Sequence, residues 1–184
     1  MSKLKKAWKK RVYALMAGCV FGECMKVVFL DFDGVLNSAQ YDRERDWTKN
    51  TNIDETRMPL LKEIADATQA KIVLTTTWRT HWKKNPDDCD EVGVWMNGLF
   101  AKYGLEIYGK TPQLRFGATR KEEVLSWLEF PPEEIESFVI LDDYGFGWGE
   151  LSTRFVKTSP RIGRGLEKAH VLQAIEILNG GIIP

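Results

Sequence analysis

The sequence predicts an α/β fold in which a mostly parallel central sheet is covered by helices on both faces, and three observations support this. Short β-rich apolar runs alternate with longer amphipathic segments, which is the order of strands joined by crossover helices. The first run, residues 27–30, is apolar without a break, as expected of a strand buried on both faces. Several runs also end in polar side chains, and parallel strands bring such ends to one edge of the sheet.

The first half of the chain is predicted to form three strands and two helices. Apolar runs at residues 27–30, 71–74 and 105–108 predict the strands. Residues 57–68 predict a helix, because apolar side chains recur there every three or four positions. Residues 90–103 show the same spacing and are followed by Gly104, a residue that commonly ends a helix.

The second half is predicted to form two more helices and two more strands. Residues 119–130 predict the third helix, because Thr119 is a capping residue and Glu122 occupies the capping-box position. Residues 138–141 predict a fourth buried strand, residues 155–157 a short fifth strand, and residues 166–178 a closing helix. A ligand site is expected beyond the carboxyl ends of the strands, where the strand order reverses.

The composition is typical of a globular protein with one domain, with 184 residues of which 43% are hydrophobic and 28% charged. No apolar run approaches the roughly 20 residues that a membrane-spanning helix needs. The three cysteines have no paired or metal-like spacing, which argues against a disulfide framework and favours a reducing, cytoplasmic compartment.

Charge is distributed unevenly although the net charge is zero. Residues 1–24 contain six basic residues and one acidic residue, whereas the remainder contains 20 basic and 25 acidic residues. We predict that residues 25–184 form the folded domain. Its acidic balance excludes a generally basic nucleic-acid surface.

The basic extension at residues 1–24 has three interpretations. A basic start, a short apolar stretch and Cys19 resemble a lipoprotein signal, although the apolar stretch is shorter than usual. Alternatively, apolar residues at near-helical spacing beneath a lysine face predict an amphipathic helix that associates with a membrane surface. In the third interpretation translation begins at Met25, and the extension does not belong to the native protein.

Three of the predicted strands run directly into carboxylate or hydroxyl side chains. These are Asp31 and Asp33 after the first strand, Thr75 and Thr76 after the second, and Asp142 and Asp143 after the fourth. Carboxylates that converge at one edge repel one another unless a cation neutralises them. Carboxylate oxygens, with water and a substrate phosphate completing the shell, are typical of a Mg²⁺ site.

Four motifs in this order resemble those of the haloacid-dehalogenase-like (HAD) superfamily of hydrolases. DFDGVLN resembles the first motif, IVLTTTWR the second, and VILDD the fourth in its paired-aspartate form. Arg120 or Lys121, at the start of a helix, matches the basic third motif. The chain is most similar to small HAD domains with a threonine-rich T-W-R segment and an L-D-D motif, some of which are attached to RNA-repair proteins. The resemblance implies a Rossmann-like HAD fold with a minimal cap.

The resemblance also implies a mechanism of phosphoryl transfer. Asp31 would attack the phosphoryl group and form an aspartyl-phosphate, while Asp33 would act as general acid and then as general base. Thr75 would donate a hydrogen bond to a phosphoryl oxygen. Arg120 or Lys121 would balance the charge that nucleophile and phosphate share.

The same resemblance implies a Mg²⁺ cofactor and a set of ligands for it. Asp31, the main-chain carbonyl of Asp33, Asp142 and Asp143 would hold the ion, the last of them directly or through water. The ion would offset charge repulsion and orient the transferred group.

We predict substrate contacts from four residues close to these motifs, namely Gly34, Thr76, Trp78 and Arg79. Gly34 would permit the tight turn that brings the first two aspartates together. Trp78 would stack on a base in one interpretation and pack in the core in the other.

The function predicted from these observations is a Mg²⁺-dependent phosphomonoesterase, with nucleotides or polynucleotide ends as one class of phosphorylated substrate. Neither interval that holds a cap in relatives is long enough here for a full cap. An open site suits a large substrate, such as a nucleic-acid end or a phosphoprotein, or a small one that an oligomer encloses. The alternative is a catalytically silent domain that binds phosphate or metal.

Overall fold

The computed structural model describes residues 24–38, 53–145, 147–161 and 163–180. Five strands form the sheet: β1 (Met25–Leu30), β2 (Lys71–Leu74), β3 (Ile107–Lys110), β4 (Ile135–Asp142) and β5 (Phe155–Lys157). Four α-helices accompany them: α1 (Met58–Thr68), α2 (Glu91–Lys102), α3 (Arg120–Glu129) and α4 (Lys168–Leu178). Short 3-10 helices lie at Glu55–Arg57, Thr77–Thr80, Pro86–Asp88 and Gly149–Arg154.

All strand pairs in the sheet are parallel, and the strand order is β3-β2-β1-β4-β5. The chain builds outward from β1 to β3 and then returns to the other side of β1, so the order reverses between β1 and β4. Leu30, the last residue of β1, pairs with Leu74 of β2 and with Leu141 of β4. The residues that follow these strands therefore meet at the switch point, where ligands bind in such sheets.

Helices cover both faces of the sheet, as predicted. On one face Val28 and Leu30 of β1 join a hydrophobic cluster with α1, α2 and α4. On the other face Val27 and Phe29 pack against α3 and the segment around Trp148. The alternation along β1 follows from the two-residue period of a strand and explains why its sequence is apolar throughout.

Most predicted elements are confirmed within one or two residues, and the bounds of β2 and β5 agree fully. β3 begins two residues later than predicted, because Gly104 at φ +65° and the bond from the Leu105 N–H to the Phe100 carbonyl still belong to the end of α2. β4 begins three residues earlier than predicted, since Ile135 already pairs with Met25.

The interval at residues 79–119 does not form a cap. Helix α2 buries Met96, Leu99 and Phe100 in the core, and β3 is an edge strand of the central sheet. The other candidate interval, residues 38–56, falls mostly outside the described residues.

The basic extension also lies outside the described residues, apart from Cys24. Cys24 is disulfide-bonded although the spacing of the cysteines predicts no disulfide framework, whereas Cys89 is a free thiol. Among the described residues, no helix has the length and apolar character needed to cross a bilayer.

Candidate active site

Asp31 is held at the carboxyl end of β1 by its own backbone. Its N–H donates to the Leu141 carbonyl of β4 at 3.0 Å, which continues the ladder for one residue beyond the strand. Its buried side chain accepts a hydrogen bond from the Phe32 N–H at 2.9 Å. The carboxylate therefore sits in a fixed position next to the end of β4.

Asp33 follows on the outside of a tight turn and its side chain is exposed. Asn37 holds this turn: its amide donates to Asp33 Oδ1 at 2.8 Å, and its carbonyl oxygen accepts from the Gly34 N–H at 2.8 Å. Asn37 is the last residue of the first motif, DFDGVLN, and the motif alone predicts no role for it. Its position in the motif, four residues after Asp33, is the sequence feature that could have predicted this contact.

Gly34 permits a close approach between the β1 and β4 loops. Its φ of +71° lies in the left-handed region, and a Cβ atom there would lie 2.5 Å from Cβ of Asp143. Its N–H is bonded to Asn37, and its carbonyl accepts a hydrogen bond from Thr158 Oγ1 at 2.7 Å. Gly34 thus shapes the turn as expected, while both of its polar backbone groups have protein partners.

Asp31, Asp142 and Asp143 form an acidic cluster in which one oxygen of each lies within 4.8 Å of the others. Asp142 is fully buried, and its Oδ1 accepts a hydrogen bond from the Tyr144 N–H at 2.9 Å. Three convergent carboxylates on two adjacent strand ends fit a hard divalent cation such as Mg²⁺. The described residues thus bring together the side chains that were predicted to hold the ion, except that of Asp33, for which a main-chain contact was predicted.

The two candidates for the basic third motif point in different directions. The Arg120 guanidinium forms ion pairs with both Asp31 and Asp142, at 2.8 Å in the second case. The Lys121 ammonium instead pairs with Glu150 at 2.8 Å. Adjacent residues of a helix are turned by about 100° from one another, so only one of them faces the acidic cluster.

Burial dominates the electrostatics of this cluster. Burial and the Asp31 charge raise the pKa of Asp142 to about 7, although Arg120 opposes the shift. Burial likewise raises the pKa of Asp31 and that of Asp143 above their ordinary values. Burial lowers the pKa of Arg120, but the neighbouring carboxylates outweigh it, so the guanidinium stays charged. The cluster is short of positive charge, which is the condition that a divalent ion relieves.

Thr75 contributes a hydroxyl that has no hydrogen-bond partner in the described part of the chain. Its N–H donates to the Leu30 carbonyl at 2.9 Å, which fixes it beside Asp31 at the neighbouring strand end. The side chain is fully buried, and Oγ1 bonds to no described residue. A buried hydroxyl without a partner costs free energy, and a ligand oxygen that accepts a hydrogen bond from it would remove that cost.

Thr76 and Arg79, which we predicted to contact substrate, are engaged by the protein. Thr76 Oγ1 caps the 3-10 helix by accepting from the Trp78 N–H. The buried Arg79 guanidinium donates to the carbonyls of Thr75 at 2.9 Å and Thr76 at 2.8 Å, and it pairs with Glu123 of α3 at 2.7 Å. It also donates to the Thr111 carbonyl at 3.3 Å. Arg79 therefore ties the end of β2 to α3 and to the residue after β3.

Trp78 packs inside the domain, as in the second interpretation given above. Its ring lies 6.1 Å from that of Phe32 and 6.2 Å from that of Trp95, measured between centroids. The side chain is half-buried against the core. These ring contacts explain why a tryptophan occupies this position, without a base stacked on it.

One family model matches most of this chain. The family is described as the HAD domain in Swiss Army Knife RNA repair proteins, and the match spans residues 27–171. The chain belongs to this family. No curated protein and no solved structure is a significant match.

Family membership and the parallel sheet together establish a Rossmann-like α/β fold of the minimally capped HAD type. The matched span begins in β1 and runs into α4, so it contains every residue of the acidic cluster as well as Thr75 and Arg120. The chain is accordingly a HAD-type phosphohydrolase or a related module, and its cluster is compatible with a metal ion.

Proposed function

We propose that this HAD domain is a Mg²⁺-dependent phosphomonoesterase that acts through an aspartyl-phosphate on Asp31. One observation carries the proposal: a largely buried carboxylate cluster, a buried hydroxyl with no partner among the described residues and a charged guanidinium meet at one strand edge. Carboxylates alone would suit a structural cation. The addition of an unused donor and a fixed positive charge suits a bound phosphoryl group.

The residues have distinct parts in the proposed reaction. An Asp31 oxygen attacks phosphorus and the ester bond to the leaving oxygen breaks, while Asp33 gives that oxygen a proton. Asp33 then takes a proton from water, whose oxygen attacks the phosphorus of the aspartyl-phosphate and releases inorganic phosphate. The exposure of Asp33 suits this exchange with substrate and solvent.

Asp31, Asp142 and Asp143 would hold Mg²⁺, which when bound supplies two positive charges that offset repulsion between nucleophile and phosphate. Thr75 Oγ1 would donate to a non-bridging phosphoryl oxygen. Arg120 would stabilise the negative charge that spreads over the oxygens during transfer, since it is held within reach of Asp31.

We further propose that the substrate is a phosphate at the end of a polynucleotide. The support is the description of the matched family, which places such domains in RNA repair proteins. The absence of a cap in residues 79–119 favours a large substrate. The acidic balance of residues 25–184 disfavours tight duplex binding, but one terminal phosphate needs little basic surface.

The test is hydrolysis of p-nitrophenyl phosphate and of 3′- and 5′-phosphorylated oligonucleotides by the purified 184-residue chain. We expect turnover that requires Mg²⁺, is abolished by EDTA and is lost in Asp31→Asn. Asp66→Asn is the matched control, because Asp66 is an exposed carboxylate of α1 that pairs with Lys62, and it should retain full activity. Full activity of Asp31→Asn would refute the proposed nucleophile.

A second candidate is a silent domain that binds metal or phosphate without turnover. The observation that favours it is the Arg120 guanidinium, which already bridges Asp31 and Asp142 and so competes for the nucleophile. Titration calorimetry with Mg²⁺ and inorganic phosphate separates the two candidates. Binding without hydrolysis of any ester in a broad panel would favour the silent domain.

A further inference from the structure

A groove of about 430 Å³ lies between the edge strand β3 and helix α3. Lys110 and Gln113 line it on the β3 side, and Ser126, Trp127 and Phe130 line it on the α3 side. Arg79 also lines the groove, and its contacts with the Thr75 and Thr76 carbonyls connect this region to the proposed phosphate site.

The groove contains a cation that no carboxylate neutralises. The Lys110 ammonium donates to the Arg79 carbonyl at 2.9 Å and to the Trp82 carbonyl at 2.5 Å, and it has no ion pair within the described ranges. Arg79, by contrast, is paired with Glu123. Burial lowers the pKa of Lys110, and the Lys83 and Arg79 charges lower it further. An anion bound in the groove would therefore offset an excess of positive charge.

The loop at residues 111–119 leads from this groove to the proposed phosphate site. It contains Arg115 and no acidic residue, and it ends at Arg120 on the acidic cluster. Phe116 at its tip is fully exposed, and Phe130 at the far end of α3 is 78% exposed. Two exposed aromatic rings thus flank α3 along the chain, Phe116 in the loop before it and Phe130 at its C-terminal end.

We propose that Lys110, Gln113, Arg115, Phe116 and Phe130 form a strip that binds the single-stranded polynucleotide behind its terminal phosphate. The proposal rests on the proposed function, because the terminal phosphate is assumed to sit at Asp31. The strip would determine where the strand lies on this domain and which side chains recognise it.

The chemistry of the strip matches a single strand better than a duplex. Aromatic rings stack on any base, and cations placed among them pair with phosphodiesters. From Arg120 to Phe130 helix α3 rises about 15 Å. At about 3.4 Å per stacked nucleotide, the strip holds about four nucleotides.

Binding is tested first without catalysis, with the Asp31→Asn variant and fluorescein-labelled hexauridylate or hexathymidylate carrying a 3′-hydroxyl. In fluorescence anisotropy we expect Phe116→Ala and Phe130→Ala each to weaken binding by at least about 5-fold, as for loss of one stacked base. Arg115→Gln should reduce the slope of log affinity against log salt by about 0.7. The matched controls are Leu172→Ala at an exposed position of α4 and Lys62→Gln at a partly exposed position of α1, both helices of the opposite face, and both variants should bind as the parent does.

Turnover is tested second, with phosphorylated oligonucleotides of one to six residues. We expect KM to fall with length up to about four nucleotides and then to level off. Phe116→Ala and Phe130→Ala should raise KM for the tetranucleotide and leave p-nitrophenyl phosphate hydrolysis unchanged.

The outcomes separate the strip from the catalytic proposal. Strand binding that depends on the two phenylalanines, in a chain that hydrolyses no ester, supports the strip and refutes the phosphatase. Ester hydrolysis with a KM independent of length, or strand binding unaffected by both phenylalanine variants, overturns the strip and leaves the phosphatase standing. In that case the two rings belong to a surface for another partner.

Discussion

Thr75→Val is expected to make the protein more stable and less active. The substitution removes the buried Oγ1 that bonds to no described residue and replaces it with a methyl group of similar shape. An unpaired buried hydroxyl costs about 1–3 kcal/mol. Since valine carries no such cost, we expect the free energy of unfolding to rise by about 1 kcal/mol.

The matched control is Thr68→Val at the end of α1. Thr68 is also buried, but its Oγ1 donates to the Ile64 carbonyl at 2.7 Å and accepts from the Ala70 N–H at 3.3 Å. Removal of this bonded hydroxyl should lower the free energy of unfolding by about 1 kcal/mol. The site lies far from the acidic cluster, so activity should not change.

The same Thr75→Val substitution should lower kcat/KM for p-nitrophenyl phosphate by about 100-fold, the usual effect of losing one donor to developing negative charge. Urea unfolding at constant m-value gives the stability change, and steady-state kinetics at saturating Mg²⁺ gives the activity change. If Thr75→Val and Thr68→Val lose stability equally, the hydroxyl of Thr75 has a partner and the reasoning is refuted. Unchanged kcat/KM would remove Thr75 from the proposed mechanism.

Further predictions concern Arg79, Gly34 and the pH dependence of the acidic cluster. Arg79→Met should lower the free energy of unfolding in urea by about 3–5 kcal/mol because it leaves buried Glu123 unpaired. The Arg79→Met/Glu123→Gln double variant should recover part of that loss, and strictly additive losses would contradict the coupling. Gly34→Ala places a methyl group 2.5 Å from a neighbouring side chain at φ +71° and should lower Tm, whereas Gly98→Ala in the open part of α2 should raise it. Equal Tm shifts would count against the tight approach. Because the pKa of Asp142 is raised to about 7, Mg²⁺ bound there would have to displace a proton below that pH, and the Tm increase it causes should grow from pH 5 to pH 8. Without the ion, the same raised pKa should make stability fall as pH rises from about 3.8 towards 7, since the folded state holds that proton more tightly. An effect of Mg²⁺ that does not vary with pH would contradict this assignment.

The sequence was sufficient to predict every β-strand and α-helix, and it gave the carboxyl ends of β1, β2 and β4 to within one residue. The predicted first and last residues of β2 and β5 agree with the structure. The capping box predicted at Thr119 and Glu122 is present at the start of α3. Because the sheet is parallel, the positions of the strands also determined which polar residues would meet. That is why the acidic cluster was predictable from three short motifs.

Side-chain direction was harder to predict than position. Arg120 and Lys121 are adjacent at the start of a helix, and the sequence does not indicate which of them forms the ion pair with Glu150. Arg79 follows the threonine motif, so a phosphate contact was a reasonable expectation. The 3-10 helix at Thr77–Thr80 instead turns its guanidinium back onto the end of β2, a local bend that apolar periodicity does not reveal.

The guanidinium that Asp31 and Asp142 share gives this domain a resting state. Like charges at two adjacent strand ends would otherwise push β1 and β4 apart, and Arg120 restrains them from the first turn of α3. A divalent ion held by Asp31, Asp142 and Asp143 would supply twice the charge of Arg120 and would leave the arginine available for an incoming ester. In the proposed reaction, binding of the ester would then depend on whether the ion is already bound.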